Sequence, residues 1–203
     1  MTRVLVTAFE PYGEWDENAS WLTLMELTRE LPTRPLITTR RYPVDFDAVR
    51  ERLASDLNDN YDFVLLLGQA PGATKIQIEH IGVNVRGEPG VSKELFTPLE
   101  PNGPLALEST LPTKRWATEL REAGLPVEVS YHAGEYLCNA SLYWSLLIAS
   151  QQKLATRATF VHLPLTVNQT LKSNRRLASL PVEWSARAIR LLLEKCDAAV
   201  ASA

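Results

Sequence analysis

The two cysteines of this 203-residue chain stand in different chemical settings. Cys138 lies in "AGEYLCNASLYW", between a small-residue turn and an aromatic-rich amphipathic segment. Cys196 lies in "IRLLLEKCDAAVA", an amphipathic run with no glycine turn just before it. A cysteine that only packs is a small inert hydrophobe, and the setting of Cys196 asks for nothing more. Cys138 has the address of a nucleophile. The N-terminal end of a helix presents unpaired N–H groups and about half a positive charge, which lower a thiol's pKa and could hold an oxyanion. Gly134 would let the backbone turn tightly into that helix.

A thiol nucleophile needs a base, and the chain offers three histidines. His80 lies in "KIQIEHIGVNV", His132 just before "AGEYLC", and His162 in "FVHLP". His80 and His132 each fit an ordinary surface or capping role. His162 sits between two apolar residues at a strand end, where an imidazole has to be satisfied or used. Glu79 is the carboxylate chosen to orient it. Strand alternation puts Glu79 on a face with Ile81, Val83 and Val85, where an unpaired charge is costly and an imidazolium would offset the cost. The bland alternative is a glutamate at a solvated strand edge.

These residues must be carried by an alternating α/β chain. "RVLVTAF", "YDFVLLLGQA", "LPVEVSY" and "ATFVHLP" read as strands; "YDFVLLLGQA" is apolar throughout and suits burial on both faces. "ASWLTLMELTREL", capped by Asn18 or Ser20, and "VEWSARAIRLLLEKCDAAVA" read as helices. No repeat, low-complexity tract or linker interrupts them, so residues 1–203 are expected to form one domain. The expected fold is an open twisted sheet with helices on both faces. The stretch from Val127 to Pro164 reads as strand, helix, strand, a connection that normally makes its two strands parallel. That geometry would bring Cys138 and His162 to one carboxyl edge of the sheet, where open α/β sheets place ligands. Phe9 and Tyr12 follow the first strand to the same edge, and Gln69 follows "FVLLLG".

Composition narrows the partners. A net charge of −3 with 22% charged residues gives no electrostatic reason to bind nucleic acid or an anionic membrane. The arginine pairs in "TTRRYP" and "SNRRL" read as solvated surface. No apolar run reaches the roughly 18 residues that span a bilayer. The apolar start of "MTRVLVTAFEPYG" is too short for a signal peptide, and two cysteines without framework spacing match neither a disulfide scaffold nor a zinc site. The expectation is a cytoplasmic protein with reduced thiols. The sequons at Asn18, Asn139 and Asn168 should then carry no glycan.

The segments "VLVTAFEPYG", "LLLGQAPGATKIQIEHIGVNV", "AGEYLCN" and "FVHLP", in this order, resemble the signature segments of the pyrrolidone carboxyl peptidases, the type I pyroglutamyl peptidases. These are cytosolic cysteine peptidases, and the likeness runs from the first strand to about Gln169. It implies a phosphorylase/hydrolase-like α/β fold, no cofactor or metal, and frequently a homo-dimer or homo-tetramer. It implies peptides with N-terminal pyroglutamate as substrates, Cys138 as nucleophile, His162 as base and Glu79 as third member of the triad. Phe9 and Tyr12 would hold the pyroglutamyl ring and Gln69 would hydrogen-bond the lactam. A flat uncharged ring suits an aromatic clamp with an amide at its edge. The chain departs from the family pattern at Ala8 (usually Gly), His80 (usually Arg), "PGATK" (usually containing Gly-Gly-Arg), "RGEPGVSKELFTPLE" and "PLTVNQ". Two rivals remain: a non-catalytic lactam-binding relative, and an amidase acting on free small amides. The first has no use for an activated thiol, and the second is separated by peptide-linked against free amides.

Overall fold

The computed structural model describes residues 1–201. The elements in chain order are β1 (Arg3–Phe9), α1 (Ala19–Thr28), β2 (Leu36–Tyr42), α2 (Phe46–Leu57), β3 (Phe63–Gln69), β4 (Ile76–Glu79) and β5 (Ile81–Val83). After a 3-10 turn at Lys93–Leu95 come β6 (Ala106–Glu108), α3 (Thr113–Glu122), β7 (Val127–Ser130), α4 (Leu137–Gln151), β8 (Arg157–Leu163), α5 (Val167–Lys172) and α6 (Val182–Ala201). The main sheet runs β2-β1-β3-β8-β4-β7, and β5 and β6 form a small antiparallel pair beside it.

Helices cover both faces of the main sheet. β3 shows why: Phe63, Leu65 and Leu67 point into one apolar layer, while Val64 and Leu66 point into the other. The first layer holds Leu24 and Leu27 of α1, Trp116 and Leu120 of α3, and Ile189, Leu192 and Leu193 of α6. The second holds Val49 and Leu53 of α2 and Leu142, Tyr143 and Trp144 of α4. A continuous apolar strand is what a central position between two helical layers requires. Asn18 caps α1, its side chain accepting from the Ser20 N–H at 3.0 Å.

The path from β7 to β8 differs from the crossover expected of Val127–Pro164. The two strands are not neighbours, because β4 lies between them. β4 is antiparallel to β8, with Glu79 opposite Phe160 and Gln77 opposite His162, and β7 is parallel to β4. β7 and β8 therefore run in opposite directions. The alternation of "VEVS" belongs to a half-buried edge strand, whereas a strand central to a parallel sheet reads as an unbroken apolar run. The chain from Ser130 returns across the sheet before α4 begins, and that return delivers Cys138.

"KIQIEHIGVNV" is also broken rather than continuous. β4 ends at Glu79 and β5 belongs to the other sheet, so Ile81, Val83 and Val85 do not share a strand face with Glu79. "TTRRYP" lies largely in edge strand β2, and Arg40 and Arg41 are exposed, as a solvated pair should be.

Candidate active site

Cys138 is the second residue of α4. The N-cap, Tyr136, makes no side-chain capping bond, so no capping side chain competes for the first N–H groups of the helix. The turn before it needs Gly134, whose φ of +80° is a left-handed conformation that side chains disfavour. The next residue fastens the helix start in place. Buried Asn139 accepts from the Val83 N–H (2.8 Å) and donates to the carbonyls of Val83 (2.9 Å) and Val85 (3.1 Å), matching the backbone of β5 and its exit with one amide.

The sheet beneath the thiol is made by Gly68 at the end of β3. A Cβ there would come within 2.4 Å of the Phe160 ring and 3.1 Å of Cys138 Sγ, so only glycine lets sulfur and ring both lie close. Gly68 is in register with His162 on the adjacent parallel strand β8. The imidazole therefore stands beside the position over which the sulfur sits. Glu79, opposite Phe160 on β4, lies diagonally across from His162 on the same face, and its Oε1 is 2.7 Å from His162 Nδ1. With Nδ1 engaged by the carboxylate, Nε2 is the ring nitrogen left for the thiol.

The pair is deeply enclosed: Glu79 is 0% and His162 8% exposed. Burial alone would lower the imidazole's pKa. The negative charge and hydrogen bond of Cys138, followed by the hydrogen bond and charge of Glu79, outweigh burial and raise it to about 10. Oε2 of Glu79 has no hydrogen-bond partner among the described residues.

Cys138 and His162 open on a cavity of about 290 Å³ whose wall includes Phe9, Tyr12, Gln69 and Pro89. Five of the six residues singled out in the sequence thus line one cavity, and Glu79 supports His162 from below. The Phe9 ring is held edge-on by Tyr42 and tilted against Phe160, each at 6.3 Å between centroids. The Tyr12 hydroxyl is pushed up to about 12, first by burial and then by the charge at Cys138, with the Gln69 amide acting in the opposite direction. It is therefore neutral at physiological pH. Gln69 is buried, and its Nε2 lies close enough to the Tyr12 hydroxyl to lower that pKa but makes no hydrogen bond of regular geometry among the described residues.

The other two histidines lie outside this arrangement. His80 is held by Glu108 (Nε2 to Oε1, 2.6 Å) and Thr113 (Nδ1 to Oγ1, 2.9 Å). His132 accepts from the Gly134 N–H at 3.2 Å and so closes the turn before α4. Cys196 is fully buried in the apolar layer of α6, and burial drives its thiol pKa far up. Among the described residues no group of three or more His, Cys, Asp or Glu is arranged to hold a metal ion.

Sequence reasoning missed Gly68, Asn139 and Gln169, whose Nε2 donates to Gln69 Oε1 at 2.7 Å. Asn139, met in the sequence only as part of the "NAS" sequon, is buried and spent on backbone contacts. Within the divergent "RGEPGVSKELFTPLE" segment, Pro89 reaches the cavity wall, and the Gly87 N–H donates to the Glu135 carbonyl at 2.7 Å.

An α/β sheet that places a helix-end thiol beside an imidazole backed by a buried carboxylate is the architecture of a cysteine hydrolase working by acyl transfer. The comparisons with known proteins carry this further. Residues 2–198 match the family described as pyroglutamyl peptidase. The pyrrolidone-carboxylate peptidase of Thermococcus onnurineus is 35% identical over 197 residues, covering 95% of this chain and 97% of that protein. That of Streptomyces coelicolor is 33% identical over 201 residues, covering 95% and 91%. The crystal structure of the pyrrolidone carboxyl peptidase of Fervidobacterium islandicum superposes with a TM-score of 0.90 at 30% identity, covering 96% of this chain and 98% of that one. The chain belongs to the pyroglutamyl peptidase family.

Proposed function

We propose that this protein removes N-terminal pyroglutamyl residues from peptides by covalent acyl transfer through Cys138. The observation that carries the reading is the placement of Cys138, the His162–Glu79 pair and the unpaired Gln69 amide around one small cavity. In this reading His162 Nε2 takes the Cys138 proton, and the sulfur attacks the carbonyl carbon joining pyroglutamate to the next residue. The oxyanion is held by N–H groups of the first turn of α4, which no side chain caps. The C–N bond breaks as the imidazolium gives its proton to the departing amine, leaving a thioester on Cys138. His162 then takes a proton from water, the hydroxide attacks the thioester, and pyroglutamate leaves as the sulfur regains its proton. Glu79 keeps the imidazole oriented and favours its charged form throughout.

Phe9 and Tyr12 would take the faces of the lactam ring, and Gln69 would give its free N–H to the lactam carbonyl oxygen. Proline has the ring without that oxygen and would leave the Gln69 donor unpaired, which is a strong basis for rejecting it. The likeness to the family also supports a single peptidase domain over 1–203, a cytoplasmic location and a dimer or tetramer. No helix among the described residues is long and apolar enough to cross a membrane. The test is turnover of a chromogenic pyroglutamyl amide, expected to need a reductant, to be abolished by iodoacetamide and to survive EDTA. Activity that survives iodoacetamide, or that EDTA alone removes, would overturn the mechanism. Sedimentation of the purified protein tests the assembly.

A further inference from the structure

The polarity of the Gln69 amide is decided outside the cavity. Gln69 Oε1 accepts from the Ala19 backbone N–H and from Gln169 Nε2, each at 2.7 Å. A backbone N–H can only donate, so the atom facing Ala19 is the oxygen and the NH2 is turned away from it. The same reasoning fixes Gln169, which is itself buried. Its Oε1 accepts from the Thr166 N–H (2.9 Å) and hydroxyl (3.1 Å), and its Nε2 donates to the Glu17 carbonyl (3.0 Å), which can only accept. Thr166 and Gln169 also form the capping box of α5. Two obligate donors, Ala19 and Thr166, and one obligate acceptor, Glu17, thus leave both amides a single orientation in which no donor faces a donor and no acceptor an acceptor. In that orientation the group left over is Gln69 Nε2, buried beside the Tyr12 hydroxyl, without a hydrogen bond of regular geometry among the described residues and on the wall of the cavity that holds the thiol.

We infer that Gln169 is a positioning residue for specificity: acting through Gln69, it makes the cavity a hydrogen-bond donor and so selects a ring that carries an acceptor oxygen. The inference rests on the pyroglutamyl reading, in which that oxygen is the lactam carbonyl. Gln169 touches neither the thiol nor the imidazole in this scheme, so its loss should change which ring is accepted and leave the nucleophile intact.

The discriminating variant is Gln169→Glu. Glutamate is as good as glutamine in a capping box, so α5 is kept. As a carboxylate it offers only acceptors to Gln69 Oε1 and the Glu17 carbonyl. Gln69 is then driven to turn its NH2 toward the new carboxylate, which leaves the Ala19 N–H unpaired and an oxygen facing the cavity. Gln169→Met removes the donor without adding charge and serves as the second variant should the first fail to fold. Turnover is measured on pyroglutamyl and prolyl amides with the same leaving group, alongside the rate at which iodoacetamide alkylates Cys138. Mispairing one buried group should raise KM for the pyroglutamyl amide roughly tenfold and lower the pyroglutamyl-to-prolyl ratio, with Cys138 alkylation unchanged. An active wild type whose ratio is unaltered by both substitutions would overturn this inference alone. A parallel fall in Cys138 alkylation would overturn it too, by showing general damage to the site. A wild type that hydrolyses neither amide would overturn the peptidase reading and this one with it.

Discussion

Replacing Glu79 by glutamine removes one negative charge from the least accessible part of the site while keeping its shape. Glu79 Oε1 and His162 Nδ1 are 2.7 Å apart, and the imidazole's pKa stands near 10 against an ordinary 6.5. Burial works against that rise, and the charges of Cys138 and Glu79 produce it. A carboxylate at this range moves a partner's pKa by about 1–3 units, each worth about 1.4 kcal/mol. The variant should therefore lose roughly 10- to 1,000-fold in kcat/KM and keep measurable activity, because the nucleophile is untouched. The imidazolium that protonates the leaving amine should also be lost about 1–3 units earlier as pH rises, so the alkaline limb of activity shifts downward. Glu79 Oε2 lacks a partner among the described residues, so an NH2 placed there would be a buried unsatisfied donor costing about 1–3 kcal/mol of stability. The assay is kcat/KM for a chromogenic pyroglutamyl amide across pH, with thermal melting beside it. An alkaline limb at the wild-type position, with kcat/KM within about twofold of wild type, would refute the orienting role.

Cys138→Ala and His162→Ala should each remove nearly all turnover, and the double variant should be little worse than either, since groups acting as one unit are strongly non-additive. Cys196→Ser should leave kcat/KM within a few-fold of wild type but lower the melting temperature, because it puts a hydroxyl into the apolar layer of α6. Stability should fall as pH rises from about 6.5 toward about 10: His162 binds its proton more tightly in the folded state, so its contribution is complete below the unfolded pKa and lost as pH passes through the folded one. Chemical denaturation at several pH values checks this, and the slope should shrink in Glu79→Gln. Gln69→Ala should cost roughly 1–3 kcal/mol of transition-state binding for pyroglutamyl substrates, read from kcat/KM.

Much of this arrangement is legible in the sequence because its strands carry local signals. "FVLLLGQ" is apolar on both faces and reads as a central strand, and the glycine turn before "YLCN" marks a helix start. What is not legible is pairing across long sequence distances. Nothing in "KIQIE" announces that it inserts antiparallel beside β8, and that insertion separates β7 from the strand it was expected to join. Glu79 is buried for a related reason: it faces Phe160 across β4 and β8, whereas Ile81 and Val83 belong to β5 in the other sheet. "LITTRRY" is equally quiet, since an edge strand with exposed arginines lacks an apolar run. Gln169 leaves no local signature either. Its importance comes from meeting Gln69, 100 positions away, and an uncharged amide in a short helix carries no mark of such a meeting.

The most direct test of the central claim is to look for the acyl group itself. Enzyme mixed with a pyroglutamyl amide, quenched in acid during turnover and digested, should yield the Cys138 peptide carrying one pyroglutamyl group as a thioester. The Cys196 peptide should be unmodified, and the adduct should be absent in Cys138→Ala. An adduct on another residue, or turnover that persists in Cys138→Ala, would contradict covalent catalysis at Cys138.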